Sequence, residues 1–417
     1  MKKLSIALLL LGSLTLHAQE QKWRYEYPFI IVDAPAKLRT MRQSNENFLS
    51  AYRIGARTLG EALPDTVNLG FAKRSKLQTL VLAEALSELL LYPITHEEGH
   101  RSILTAEGIG STSAPFFDLS GVAYVNGVTD ATLQHLRDTK FPTYIRLHTA
   151  GNESDYMLAL RSNALMTWDK ETNGVLLIDY LFRKVSVTFY HIFSYEISFR
   201  EPHISNELER DIVGHDVLSA IRHLHRPDME FTRFTNPDDL TDEEKAFHKR
   251  VRNRALINMI DPMIFLKRGF TLKSGAKLNF AGGYAMAPFG DFIDEHFWLA
   301  SGKLNAHFYL REFENRSTWF PAAGAEFANI PLANRWIADV GLHGWQQPQN
   351  LDFNTTQGQW GGAIDAMLKY RFFTSGKNGM GLSLNLGVTA KTQGFLPEEV
   401  AMGSHIGGRL GVSIWLK

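Results

Sequence analysis

The chain has 417 residues, enough for two or three domains with sizeable cores. Lys plus Arg and Asp plus Glu both number 44, so no net field steers the protein toward nucleic acid, and no nucleic-acid partner is expected. With no cysteine there are no disulfides, no thiolate chemistry and no lipid-bearing Cys, so any metal must be held by His, Asp or Glu.

The opening MKKLSIALLLLGSLTLHAQEQ joins two lysines to an apolar run from Ile6 to Leu16 and a small Ala18. That is the layout of a secretory signal peptide, too short for a span, so residues 1–18 are expected to be a cleaved leader and the protein to be exported. From about Leu77 to Ile204 apolar residues recur at helical spacing. In "LQTLVLAEALSELLLYP", Leu82, Ala85, Leu86 and Leu89 share one face and Glu84 and Glu88 fall opposite, which predicts an amphipathic helix and no membrane span. The run at residues 174–195 carries Asp179, Arg183 and Lys184, costly against lipid, and reads as a buried core helix. Residues 19–225 therefore form a mostly helical domain. Residues 226–255 read as a Pro- and Asp-rich linker ending in a short basic helix, opened by the capping-box pair Thr241 and Glu244.

Past residue 256 the period changes to two. Leu382, Leu384, Leu386 and Val388 alternate with polar or small residues, as do Ile364 to Phe372, Leu304 to Leu310, Trp336 to Leu342 and Leu410 to Leu416. Weaker candidates at 263–272, 277–286 and 318–328 bring the total to about eight strands. The predicted fold class is α+β: a mostly helical N-terminal region followed by an antiparallel β-barrel over residues 256–417. One face is apolar, whereas the other carries His307, Arg311, Asp339, His343, Asp365, Lys369 and Arg371. Trp319, Trp336, Trp360 and Trp415 lie near strand ends, as in an interfacial girdle. With its even strand count and strand lengths, the block resembles bacterial outer-membrane β-barrels. That resemblance implies outer-membrane lipid as a partner and a periplasmic N-terminal domain. A soluble sandwich alternates too, and stands as the other reading.

The stretch "PITHEEGHRSI" places His96, Glu97 and His100 at H-E-x-x-H spacing. On a helix, i and i+4 share a face, so two imidazoles can meet one Zn²⁺ while Glu97 takes a proton as general base. Thr95 and Glu98 form a capping-box pattern, which predicts a new helix after Pro93 or a kink there, and Gly99 admits a close neighbour. The motif resembles that of the zincin metallopeptidases. Ile103 and Ala106 exclude the metzincin branch. The gluzincin branch takes its third ligand from a glutamate on a later helix, which implies Glu153 in "HTAGNESDYMLALRSNALM". Asp155 would then orient a ligand histidine, and His148 and Tyr156 would donate to the tetrahedral oxyanion. Asp118 and Glu107 are rival third ligands. His215, His223 and His225 read as a solvated helix face. The resemblance implies a zinc-dependent peptidase of the bacterial cell envelope, acting on a peptide or protein and tethered by its barrel. The alternative is a non-enzymatic outer-membrane protein whose helical part scaffolds or binds partners; it binds no metal and tolerates Glu97→Gln.

Overall fold

A computed structural model describes residues 24–36, 39–68, 73–116, 123–196, 204–302, 304–375 and 379–417; the expected leader lies outside them. Among these residues seven α-helices are present: α1 Met41–Ala62, α2 Lys76–Ala106, α3 Asp130–Thr139, α4 Phe141–Thr167, α5 Asn173–Ile192, α6 Asp216–His225 and α7 Asp242–Ala255. The strands are β1 Tyr25–Asp33, β2 Thr66–Asn68, β3 Lys73–Ser75, β4 Thr112–Ala114, β5 Tyr124–Asn126, β6 Phe270–Thr271, β7 Lys277–Ala287, β8 Gly290–Ser301, β9 Leu304–Glu314, β10 Trp319–Ala333, β11 Trp336–Pro348, β12 Gly358–Ser375, β13 Met380–Lys391 and β14 His405–Leu416.

Side-chain caps set several helix starts. Ser75 and Gln78 form a capping box at α2, and Thr241 and Glu244 form the predicted one at α7. The Thr95 and Glu98 pattern starts nothing, because α2 runs through Pro93 without ending. The Thr95 hydroxyl is engaged elsewhere, accepting from Arg183 Nη1 at 2.8 Å.

The large sheet has ten antiparallel strands in the order β1-β14-β13-β12-β11-β10-β9-β8-β7-β6. Among the described residues no ladder joins β1 to β6, which corrects the expectation of a closed barrel. Both open edges are occupied by other groups, so they cannot pair with each other. Along β1, Asn47 of α1 exchanges hydrogen bonds with the backbone of Ile30 (2.7 and 3.0 Å), Ser50 donates to the Pro28 carbonyl and Arg53 to that of Glu26. Along β7, Asn258 does the same for Tyr284, Gly282 N donates to the Ile260 carbonyl, and Lys184 of α5 donates to the Gly282 carbonyl at 3.0 Å. Eight long strands follow one another after residue 276, but residues 263–272 hold only a 3-10 turn and β6; the eighth is β8. β1, paired with β14 from Tyr25↔Leu416 to Asp33↔Arg409, comes from the N-terminal region.

The two faces of this sheet differ in polarity. The face toward the helices carries charge: Arg311 pairs with Asp294 at 2.6 Å, and Lys369 reaches Glu26 and Asp339 at 2.8 and 2.7 Å. The opposite face exposes Phe297, Phe308, Leu310, Leu342, Ile364 and Leu386. Helix α4 lies against the charged face, and Tyr156, Leu160 and Ala164 share a core with Ala281, Phe292 and Trp298. Helices and sheet are thus packed as one body around α4.

Candidate metal centre

Helices α2 and α4 approach without room for side chains at two glycines. A Cβ on Gly99 would stand 2.5 Å from the Ala150 carbonyl oxygen, and one on Gly151 2.4 Å and 2.5 Å from Nε2 of His96 and His100. Because α2 is helical through 96–100, both imidazoles project onto this crossing. Their Nδ1 atoms are tied back: His96 to Asp155 Oδ2 at 2.8 Å, His100 to the Leu147 carbonyl at 2.6 Å. With Nδ1–H donated to those acceptors, each imidazole turns an Nε2 lone pair to the centre once its Nε2 proton is lost.

The third donor is Asp216, in the first turn of α6, where Gly214 turns the chain in the left-handed region (φ +67°) just before the helix. Its Oδ2 lies 3.2 Å from His96 Nε2 and 3.4 Å from His100 Nε2, and accepts from Asn152 Nδ2 at 3.3 Å. All three residues are buried, and among the described residues they are the only group of this kind. Burial works against the charged forms, yet hydrogen bonds to Asp155 and Asp216 hold the His96 imidazolium well above its ordinary range, and the two histidines hold the Asp216 carboxyl far below its own. Two imidazole nitrogens and one carboxylate oxygen form a donor set that suits zinc and leaves a coordination position for water. The Gly151 cradle keeps the space between the nitrogens open, so the residues fit a divalent metal.

Glu97 is buried beside the group. Burial pushes its carboxyl up to about 7, against the lowering influence of His96 and His100. Asp155 also takes Arg183 on its second oxygen at 2.7 Å, and Arg183 in turn takes Asp179 at 2.7 Å. The hydroxyl of Tyr190, whose ring centroid is 5.8 Å from that of His96, is pushed well above 10 by burial and by the Asp216, Glu97 and Asp211 carboxylates, so it stays a donor.

The other expected site residues lie elsewhere. The structure does not bring Glu153 to this group: Gly151 and Asp155 of α4 stand against the histidines of α2, whereas Glu153 lies beside Arg146, two turns back. Its carboxylate receives Arg146 Nε at 3.0 Å and Nη2 at 2.6 Å, and the Glu398 backbone N–H at 2.7 Å. Tyr156 reaches the sheet, donating to Asp294 at 2.6 Å and meeting His296 Nε2 at 2.8 Å, so it cannot serve an oxyanion at this centre. His148 is fully buried without a hydrogen-bond partner among the described residues, stacked on His223 at 5.7 Å, and burial pushes it down to about 3. Glu107 pairs with Lys140 beyond the end of α2, and Asp118 lies outside the described residues. Nor is α6 a solvated face. His223 is buried with its Nε2 3.2 Å from the Tyr144 hydroxyl, and His225 is half-buried against the Ile221 carbonyl. Sequence reasoning passed over Asp216, Asn152 and Tyr190. The spacing 151, 152, 155 places Asn152 beside Gly151 and Asp155 and could have found it, but nothing in the sequence brings α6 to α2.

Gly151→Ala is expected to abolish metal binding without removing a donor, because the added methyl occupies the point on which both Nε2 atoms converge. Elemental analysis of the purified variant checks this; metal retained at the wild-type level would mean that the centre lies off the α2–α4 crossing.

Comparison with known protein families, curated proteins and solved structures finds no match to this chain.

Proposed function

We propose that the protein is a zinc-dependent peptidase of the bacterial cell envelope, held in the outer membrane by the apolar face of its sheet, with the metal centre on the periplasmic side. The observation that carries the hydrolase reading is the convergence of His96 Nε2, His100 Nε2 and Asp216 Oδ2 at the helix crossing. Peptide as substrate comes from the H-E-x-x-H resemblance. The membrane reading is supported by the polarity of the sheet, since a polar inner face and an apolar outer face are what a strand between a filled interior and lipid requires.

Bound zinc supplies Lewis-acid polarisation of the scissile carbonyl. The chain supplies the rest. Asp155 and the Leu147 carbonyl fix both imidazoles in the tautomer that points Nε2 inward. A carboxyl near neutral pKa, such as that of Glu97, takes the proton of the attacking water and returns it to the leaving amine. Tyr190 donates to the oxygen on which negative charge develops.

The test is a paired measurement on the detergent-extracted full chain. The wild type should carry near-stoichiometric zinc and cleave peptides, and Glu97→Gln should keep its zinc while losing activity by about 10²- to 10⁴-fold. No metal in wild type prepared without chelators, or undiminished cleavage by Glu97→Gln, would refute the reading.

A further inference from the structure

The polarity of α2 is the reverse of what a water-facing helix shows. Leu77, Val81, Leu82, Leu86, Leu89 and Leu90 point outward, with Leu86 57% and Leu90 61% exposed, whereas Glu84 and Glu88 are buried at 3% and 0%. The expected amphipathic pattern is present, with its faces exchanged. The side buried in the protein is the acidic one, where the Glu88 carboxylate faces the Tyr52 hydroxyl and Glu84 makes no side-chain hydrogen bond among the described residues. A helix arranged this way has given its inner side to polar groups and its outer side to an apolar surrounding.

The position of α2 says what that surrounding is. The sheet is open between β1 and β7, and the gap is filled by helices: α1 on the β1 edge, Lys184 of α5 on the β7 edge, and α2 packed on both, with Leu80 against Gly60 of α1 and Arg183 of α5 against Thr95. Beside the β7 edge, Leu256, Ile260, Phe265 and Leu266 are exposed as well. Apolar side chains thus stand exposed on the outer face of the strands, on the helix that fills the gap and beside the β7 edge. A partner protein or a second copy covers one side of a molecule; apolar side chains exposed on the strands, in the gap and beside β7 alike are what a surrounding fluid covers. From Leu77 to Leu90 the helix rises about 20 Å, close to the roughly 25 Å apolar band of outer-membrane proteins.

We propose that the outer side of α2 from Leu77 to Leu90 is covered by phospholipid acyl chains, so that this helix closes the gap in the sheet as a lipid-facing wall. The inference rests on the membrane reading above and extends it from the strands to a helix. The metal centre then begins six residues beyond Leu90, about 9 Å farther along the axis, at the boundary of the bilayer.

The chain has no cysteine, so single nitroxide labels can be placed at Leu86→Cys, at Leu386→Cys on the outer face of β13, and at exposed Lys245→Cys on α7. The labelled full-length proteins are reconstituted into phosphatidylglycerol–phosphatidylcholine vesicles, and collision with oxygen is compared with collision with a water-soluble nickel chelate. The Leu86 and Leu386 labels should both be open to oxygen and shielded from nickel by several-fold relative to Lys245. A Leu86 label open to nickel while Leu386 is shielded overturns the proposal and leaves the sheet in the membrane. A Leu86 label shielded from both reagents also overturns it, as a protein partner or a second copy then covers α2. If all three labels are open to nickel, the membrane reading itself falls.

Discussion

Asp216→Ala and His100→Ala are each expected to abolish stoichiometric metal binding, whereas Glu153→Gln should bind as the wild type does. The contrast follows from where the two carboxylates stand. Asp216 Oδ2 is within 3.4 Å of both Nε2 atoms, whereas both Glu153 oxygens are occupied by Arg146 and the Glu398 backbone. A three-donor site that loses one donor leaves two imidazoles and water, too few to hold zinc against a chelator. Asp155→Asn should give an intermediate result, lowering affinity by about 10- to 100-fold, since it removes no donor but weakens the bond that orients His96, along with the ion pair to Arg183. Elemental analysis and competition with a chromophoric chelator read all four variants. Should Asp216→Ala keep stoichiometric zinc, the carboxylate is not a ligand; should Glu153→Gln lose it while still folded, the assignment made from the H-E-x-x-H resemblance returns.

What the sequence disclosed and what it withheld divide along a physical line. Contacts within one helix turn were legible: the spacing of His96 and His100 already places both on one face, and Asp155 one helix away was singled out from its neighbourhood. Asp216 was not, since an acid in the first turn of a helix reads as an ordinary companion of the helix dipole and nothing local says that α6 packs on α2. Glu153 was named because the resemblance supplied a glutamate, while the two-turn spacing to Arg146, visible in "RLHTAGNE", is that of the ion pair the structure contains. For α2 the amphipathic pattern revealed two faces without revealing which one turns inward. In the sheet, alternation located seven of the eight long strands, but β8 hides Asp294 and His296 on its inner face and shows Glu295 outside, which blurs the pattern. Closure was beyond reach, because it depends on α1 and the 257–261 segment taking the edges.

Removing the Glu153 carboxylate should instead destabilise the fold. Arg146 is fully buried, and besides Glu153 it donates to the Glu399 carbonyl at 2.7 Å and the Val400 carbonyl at 3.2 Å, fastening α4 to the loop between β13 and β14. In Glu153→Ala the guanidinium stays charged and buried with only neutral acceptors, a cost of about 3 to 5 kcal/mol. The thermal unfolding midpoint in detergent should fall clearly, more than for Asp155→Asn, which leaves Arg183 its second partner Asp179. Replacing the pair together, as Arg146→Met with Glu153→Leu, removes both charges and should restore part of the loss. Recovery stays incomplete because the Glu398 N–H and the loop carbonyls remain buried without partners, at about 1 to 3 kcal/mol each. If Glu153→Ala leaves the midpoint unchanged, Arg146 has found another anion or water, and the pair does not brace α4. A lowered midpoint with zinc still bound below it would identify Glu153 as the brace that keeps α4, and with it Gly151 and Asp155, aligned under the two histidines.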